Sequence, residues 1–202
     1  MSKHWASAAA AVVVITALAG CSSGDGDPAE VPVDAPDPVV TASAAPTAAP
    51  LTFAMPATCA ELVPTARIAR FEGQGLVLLG GPGGRYGTDY LGEPSPEERL
   101  GGITCIWGHA DSEVSSITLS AAPLAPSSRP GIVEGFVADG LNEGELDDAS
   151  TFGMQGDTEL SPAVYNVLRN ESWISVISTV GGPAFYDEAV LVADEVATTV
   201  YK

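Results

Sequence analysis

The first 21 residues decide which part of this chain is available to fold. Lys3 precedes an apolar segment, residues 5–17, which contains no acidic residue and leads into Leu18-Ala19-Gly20-Cys21. The segment is shorter than the ~20 apolar residues that span a bilayer, and it has the proportions of a signal peptide. We therefore predict that residues 1–20 are removed on export and that the rest folds outside the cytoplasm.

The cysteine that ends this segment indicates lipid attachment. Ala19 and Gly20 are small enough for a peptidase site, and the thiol of Cys21 can form a thioether to diacylglycerol. Residues 1–21 resemble bacterial lipoprotein precursors, which implies a fatty-acylated (palmitate-type) anchor on Cys21 and a location on the outer face of the cell membrane. The alternatives are a secretory signal with a chance cysteine and an uncleaved anchor helix.

Residues 21–56 are predicted to be a disordered tether that carries the lipidated cysteine at its start. All charges between residues 22 and 56 are negative, and proline recurs throughout, which favours an extended chain. The segment contains no basic or aromatic recognition motif, so a passive spacer is expected. The prolines are Pro28, Pro32, Pro36, Pro38, Pro46, Pro50 and Pro56.

Charge and composition limit the partners of the remaining residues, 57–202. The chain has a net charge of −18 and is 46% apolar, so it has enough apolar side chains for a core. Such acidity argues against nucleic-acid binding and against a polybasic membrane patch. We expect contact with the membrane only through the lipid on Cys21.

No cofactor or metal site is predicted. The glycine-rich residues 80–87 lack the lysine and hydroxyl of a phosphate-binding loop, so a mobile surface loop is expected. The acidic residues 139–150 resemble a calcium loop imperfectly, because Leu141 replaces an oxygen ligand and Ser150 replaces the bidentate glutamate. We predict a solvated acidic loop there.

The pattern of residues 57–202 predicts a single domain that contains both helices and strands. Thr58 begins a short helix that is interrupted near Pro64. The expected strands are 76–79, 103–109, 114–122, 163–169 and 172–180, of which the last four form two hairpins. Further helices are expected near 96–100, 132–140 and 184–201. The prediction is an antiparallel sheet of about four to six strands, packed by helices on one face and including a C-terminal helix.

The cysteine count favours one disulfide. Once Cys21 carries the lipid, Cys59 and Cys105 remain, which is an even number in an exported domain. A catalytic thiol is the alternative, but no C-x-x-C motif is present.

The surroundings of these cysteines resemble a known group. Cys59 leads into Glu61-Leu62-Val63-Pro64, Cys105-Ile106-Trp107 starts a hairpin, and an amphipathic helix ends the chain. Residues 57–202 are in this respect similar to small actinobacterial cell-envelope lipoproteins of unknown function, called DUF3558-like. The resemblance implies an α+β domain with a disulfide between Cys59 and Cys105. It brings no catalytic residues, and residues 80–93 do not align with it.

Three classes of function stay open. A non-catalytic module that binds an envelope protein, a glycan or a small ligand is the first prediction, with no catalytic residue assigned. The alternative is an extracytoplasmic hydrolase that acts through carboxylates or through His109, although no G-x-S-x-G motif is present. The third is a spacer without a ligand. A buried carboxylate pair, or a serine beside His109, would favour the hydrolase.

Overall fold

The computed structural model describes residues 51–112 and 114–202. The predicted signal peptide, Cys21 and most of the predicted tether lie outside the described residues. The described residues belong to one compact unit, Thr47–Lys202, which contains its own core and its own disulfide. We therefore expect this unit to fold by itself. None of the helices in the described part has the length and apolar character needed to cross a bilayer.

Seven strands form one sheet in which every neighbouring pair is antiparallel. Their order across the sheet is β1-β2-β3-β7-β6-β5-β4, so β3 and β7 join two runs of sequential hairpins. The predicted α+β class with an antiparallel sheet is confirmed, but the sheet has seven strands rather than four to six. The strands are β1 Leu76–Gly80, β2 Ile103–His109, β3 Ser115–Pro123, β4 Asn142–Leu146, β5 Ala149–Met154, β6 Ala163–Leu168 and β7 Ser172–Ser178.

The two strands that were not predicted, β4 and β5, replace most of the expected acidic loop at residues 139–150. They form a hairpin that turns at Asp147, whose φ of 43° lies in the left-handed region that Asp tolerates. Strand β4 is one of the two edge strands of the sheet, and Glu143 and Glu145 on it are exposed. Charged side chains on an edge strand oppose pairing with another chain.

Within residues 51–202, apart from residue 113, five α-helices connect or cover these strands, and a short 3₁₀ helix spans Gly87–Leu91. The predicted interruption at Pro64 is confirmed, because it separates the first two helices. The predicted C-terminal helix is also confirmed. The α-helices are α1 Cys59–Leu62, α2 Thr65–Gly73, α3 Pro96–Arg99, α4 Arg129–Ala138 and α5 Pro183–Val200.

One face of the sheet packs against α1, α2 and α5. The apolar stripe of α5 faces alternate apolar residues of the central strands, such as Trp107, Leu119 and Val176. Cys59 at the start of α1 is bonded to Cys105 in the middle of β2, with 2.05 Å between the sulfur atoms. The buried Arg67 of α2 holds Glu195 of α5 through two hydrogen bonds of 2.6 and 2.8 Å. These contacts fix the three helices on this face.

The tether was predicted to end at residue 56, but the folded part begins earlier in the chain. The backbone N–H of Thr52 donates to the carbonyl of Lys202, and that of Ala54 donates to the carbonyl of Val200. The ring of Phe53 lies 5.9 Å from that of Tyr201. The first described residues therefore pair with the end of the chain.

The glycine-rich segment at residues 80–87 folds back on β1 instead of extending from it. The N–H groups of Arg85 and Tyr86 donate to carbonyls of Leu78 and Leu79. Gly81 has a φ of 99°, and a Cβ there would lie 2.3 Å from the carbonyl oxygen of Thr104. Glycine is required at this position because the segment passes so close to β2.

The expectation of helices on one face only is wrong. On the opposite face, Phe136 of α4 packs against Phe152 and Trp173, with ring centroids 5.2 and 5.5 Å apart. Helix α3 also contacts this face, through β2 and β3. The two helices cover separate parts of the sheet and leave a cleft between them.

Candidate functional site

A cleft of about 590 Å³ lies on this second face of the sheet. Its floor is formed by central strands, one wall by the segment that leads into α3, and the other by the end of α4. Apolar side chains make up much of the lining: Leu91, Phe136, Leu141, Met154, Val164, Trp173 and Ile177. Small-molecule sites in proteins have volumes of this order and a similar apolar lining.

A row of four polar side chains crosses the floor of the cleft. Thr104 pairs with Ser120, Ser120 with Ser175, and Ser175 with Asn166, so the row runs through β2, β3, β7 and β6. All four residues are buried. Because directly paired residues in a sheet point to the same face, their side chains are presented together.

Hydrogen bonds hold this row and connect it to the wall. The Oγ1 of Thr104 lies 3.0 Å from the Oγ of Ser120 and 2.7 Å from the Oγ of Ser95. On the other side, the indole N–H of Trp173 donates to the Oδ1 of Asn166 at 2.9 Å. A hydroxyl can donate one hydrogen bond and accept two, so acceptor capacity remains along the row.

Glu97 is placed against this row by the short helix α3. Ser95 caps the helix, Pro96 is its first residue, and the Oε2 of Glu98 accepts from the N–H of Ser95 at 2.8 Å. Glu98 is occupied by this capping box, whereas Glu97 lines the cleft and is only 5% exposed. Ser95 and Ser175 line the cleft with Glu97.

Burial raises the pKa of Glu97 above its ordinary value of 4.5, although hydrogen bonds from its own backbone N–H, Ser95 and Ser175 oppose the shift. The negative charge of Glu98 raises the pKa further. Among the described residues, no Lys or Arg forms an ion pair with Glu97. The cleft therefore contains a buried carboxyl group that lacks a basic partner.

The substitution Glu97→Gln is expected to change how stability depends on pH. Below pH 4.5 the glutamate is neutral in both states, and above its raised pKa the folded state must hold a buried charge. The folded state therefore binds more protons between these two values, and wild-type stability falls as pH rises through them. The free energy of unfolding of the variant, minus that of the wild type, should increase over the same interval in denaturant titrations.

The matched control for this measurement is Glu93→Gln, because Glu93 also lines the cleft but is exposed. Its stability relative to the wild type should show no comparable increase with pH. A difference between Glu97→Gln and wild type that stays constant with pH would contradict a raised pKa at Glu97.

The residues singled out from the sequence lie away from this cleft. Cys59 and Cys105 are joined on the opposite face, and Cys21 lies outside the described residues. His109 is exposed at the end of β2, and the hydroxyl of Ser112 donates to its backbone carbonyl at 3.3 Å. The described residues include no group of three or more His, Cys, Asp or Glu side chains placed to hold a metal ion.

Sequence reasoning missed Glu97 and the polar row, although a local signal exists. Asn166 lies between Val164 and Leu168 at two-residue spacing, and Ser175 lies in the same way between Trp173 and Ile177. A single polar residue within an otherwise apolar strand face indicates a polar group inside a covered face. Which strands align these residues depends on the β3–β7 pairing, for which the sequence offers no local signal.

Comparison with family models, with curated proteins and with solved structures finds no match to this chain.

Proposed function

We propose that this chain is a lipid-anchored protein on the outer face of the cell membrane. In this proposal its folded part binds a small, largely apolar molecule in the cleft and does not transform it. The observation that carries the binding role is the cleft itself, in which one buried polar row and one buried carboxyl group lie within an apolar lining.

The anchoring part of the proposal is supported by the sequence of residues 1–21. The apolar segment has signal-peptide proportions, and Cys21 follows Leu18-Ala19-Gly20 directly. A diacylglycerol on that cysteine supplies the two acyl chains that stable anchoring requires. The proline-containing residues that follow would keep the folded part away from the bilayer.

A small ligand suits the cleft better than the protein or glycan partners that the sequence also allowed. The cleft is bounded by two walls and a sheet floor, which is a concave shape typical of small-molecule sites. A glycan would need many polar groups along its length, whereas the polar groups here are concentrated in one row. The polar groups of the floor would orient a bound molecule, and the apolar side chains would supply most of its affinity.

The hydrolase alternative receives less support from the same residues. Glu97 is the one buried acidic residue in the described part of the chain, so the carboxylate pair of a glycosidase lacks its second buried member. Ser112 contacts the backbone carbonyl of His109 rather than its imidazole ring. A Ser-His arrangement requires a hydrogen bond between the hydroxyl and the ring.

Filling the cleft is expected to weaken binding of a neutral apolar dye. Val164 is half-buried on the cleft floor, between Met154 and Ile177 on the neighbouring strands. In Val164→Trp the added indole would occupy the space above the sheet, so the affinity for Nile red should fall by about tenfold or more. Dye fluorescence measured with Thr47–Lys202 gives the affinity.

The matched control is Val190→Trp, which makes the same substitution in a half-buried position on α5, in a groove on the opposite face. It should change the affinity by less than about twofold. Loss of dye binding in the control variant, with binding retained in Val164→Trp, would place the binding site outside the cleft and overturn the proposal.

A further inference from the structure

The buried carboxyl group specifies the charge of the molecule that the cleft accepts. We infer that the cleft selects an organic amine, with its ammonium group against Glu97 and its apolar body along the sheet floor. This inference rests on the proposed binding function. It adds the chemical class of the ligand, which the shape of the cleft alone does not give.

The first support is the position of Glu97, which is 5% exposed and lines the cleft without an ion-pair partner in the described part of the chain. An ionised carboxylate in such a place loses its hydration and gains no compensating charge. A ligand ammonium would supply that charge and form a charge-assisted hydrogen bond, which is stronger than a neutral one.

The second support is the charge of the other groups around the cleft. Glu93 precedes α3 and Asp139 follows α4, and both of these acidic residues line the cleft. Glu98 of α3 also acts on Glu97 as a negative charge. Arg99 is the one basic residue of the lining, and it is exposed. The strands of the floor contribute no charged side chain to the lining, so the balance is negative.

The third support is the number of acceptors beside Glu97. An ammonium group has three N–H donors and no acceptor, so it needs more than one oxygen when it is buried. Ser175 lines the cleft together with Glu97, and its hydroxyl oxygen can accept hydrogen bonds. Ser120 lies directly opposite Ser175 in the sheet and offers a further hydroxyl oxygen. Carboxylate and hydroxyl oxygens together match the donors of an amine.

Three probes with the same apolar body test this inference: phenylbutylamine, phenylbutanol and phenylbutanoate. Each is used to displace Nile red from Thr47–Lys202 at a pH at which Glu97 is ionised and the amine is charged. The amine should bind about tenfold or more tighter than the alcohol, and the carboxylate should bind weakest. Equal affinities, or a preference for the carboxylate, would overturn the inference.

The substitution Glu97→Gln should remove the preference for the amine over the alcohol while Nile red still binds. The matched control, Glu93→Gln, should keep the preference within about twofold. A preference that survives in Glu97→Gln would assign amine selection to other groups and overturn the inference. Binding of Nile red by the variant shows that its cleft is intact.

A measurement on the wild type keeps the test independent of the variant. Lowering the pH below the pKa of Glu97 should remove the amine preference, because the protonated carboxyl group no longer pairs with the ammonium. Loss of this preference at low pH supports the inference, and a preference that is independent of pH refutes it. If Nile red itself fails to bind the wild type, the proposed cleft function fails, whereas dye binding without amine preference removes only the ligand class.

Discussion

Reduction of the bond between Cys59 and Cys105 is expected to lower the free energy of unfolding by about 4 kcal/mol. The two residues are 46 positions apart. In the chain-entropy model, opening a loop of this length raises the entropy of the unfolded chain and so stabilises it by that amount of free energy. Domains of this size are stable by about 5–15 kcal/mol, so the loss is a large share of the total.

Guanidinium unfolding of Thr47–Lys202, with and without reductant, measures this effect. Both cysteines are buried, so the reductant must be equilibrated with the protein in denaturant before the transition is recorded. The control is the double substitution Cys59→Ala and Cys105→Ala, whose stability should not respond to the reductant. Two free thiols in the native protein, or a reductant effect below about 1 kcal/mol, would contradict the prediction.

The sequence predicts a strand well when the alternating or apolar pattern of that strand decides which of its faces is buried. In β7 the residues Ile174 and Val176 lie on the face that is covered by α1, α2 and α5. The hairpin with β6 turns at Asn170-Glu171 as expected. The C-terminal helix follows from an apolar stripe with helical spacing, which needs no information about its partner.

Strand β4 could not be predicted in this way because its sequence, Asn142 to Leu146, consists mainly of polar residues and glycine. An edge strand buries little side-chain surface, so its backbone pairing with β5 determines the structure instead of its residue pattern. Charge alone favours a loop for such a segment, and tertiary pairing overrides that preference.

The candidate site was unpredictable for a related reason. The helix dipole favours acidic residues in the first turn of α3, and it does not distinguish Glu97 from Glu98. The burial of Glu97 depends on the sheet, because Glu97 lines the cleft together with Ser175 of β7. A strand almost 80 positions further along the chain therefore helps to bury a carboxyl group that the local sequence alone would leave exposed.

The largest functional effect is expected from Cys21→Ser in the full-length chain, which should lose its lipid completely. The hydroxyl of serine does not form the thioether to diacylglycerol, and cleavage before residue 21 should fail with it. Metabolic labelling with an alkyne fatty acid measures the lipid, and intact mass measures removal of residues 1–20. The full-length double variant Cys59→Ala and Cys105→Ala is the control and should keep both the label and the processed mass.

The chemistry of the linkage separates this anchor from a reversible acylation of the same residue. A fatty acid attached directly to Cys21 as a thioester would be released by neutral hydroxylamine, whereas a thioether-linked diacylglycerol would retain its label. The number of chains also matters, since a single acyl chain gives only marginal and reversible membrane binding. Wild-type protein should therefore stay with the membrane after hydroxylamine treatment. Release of the label by hydroxylamine, or labelling of Cys21→Ser, would refute the proposed anchor.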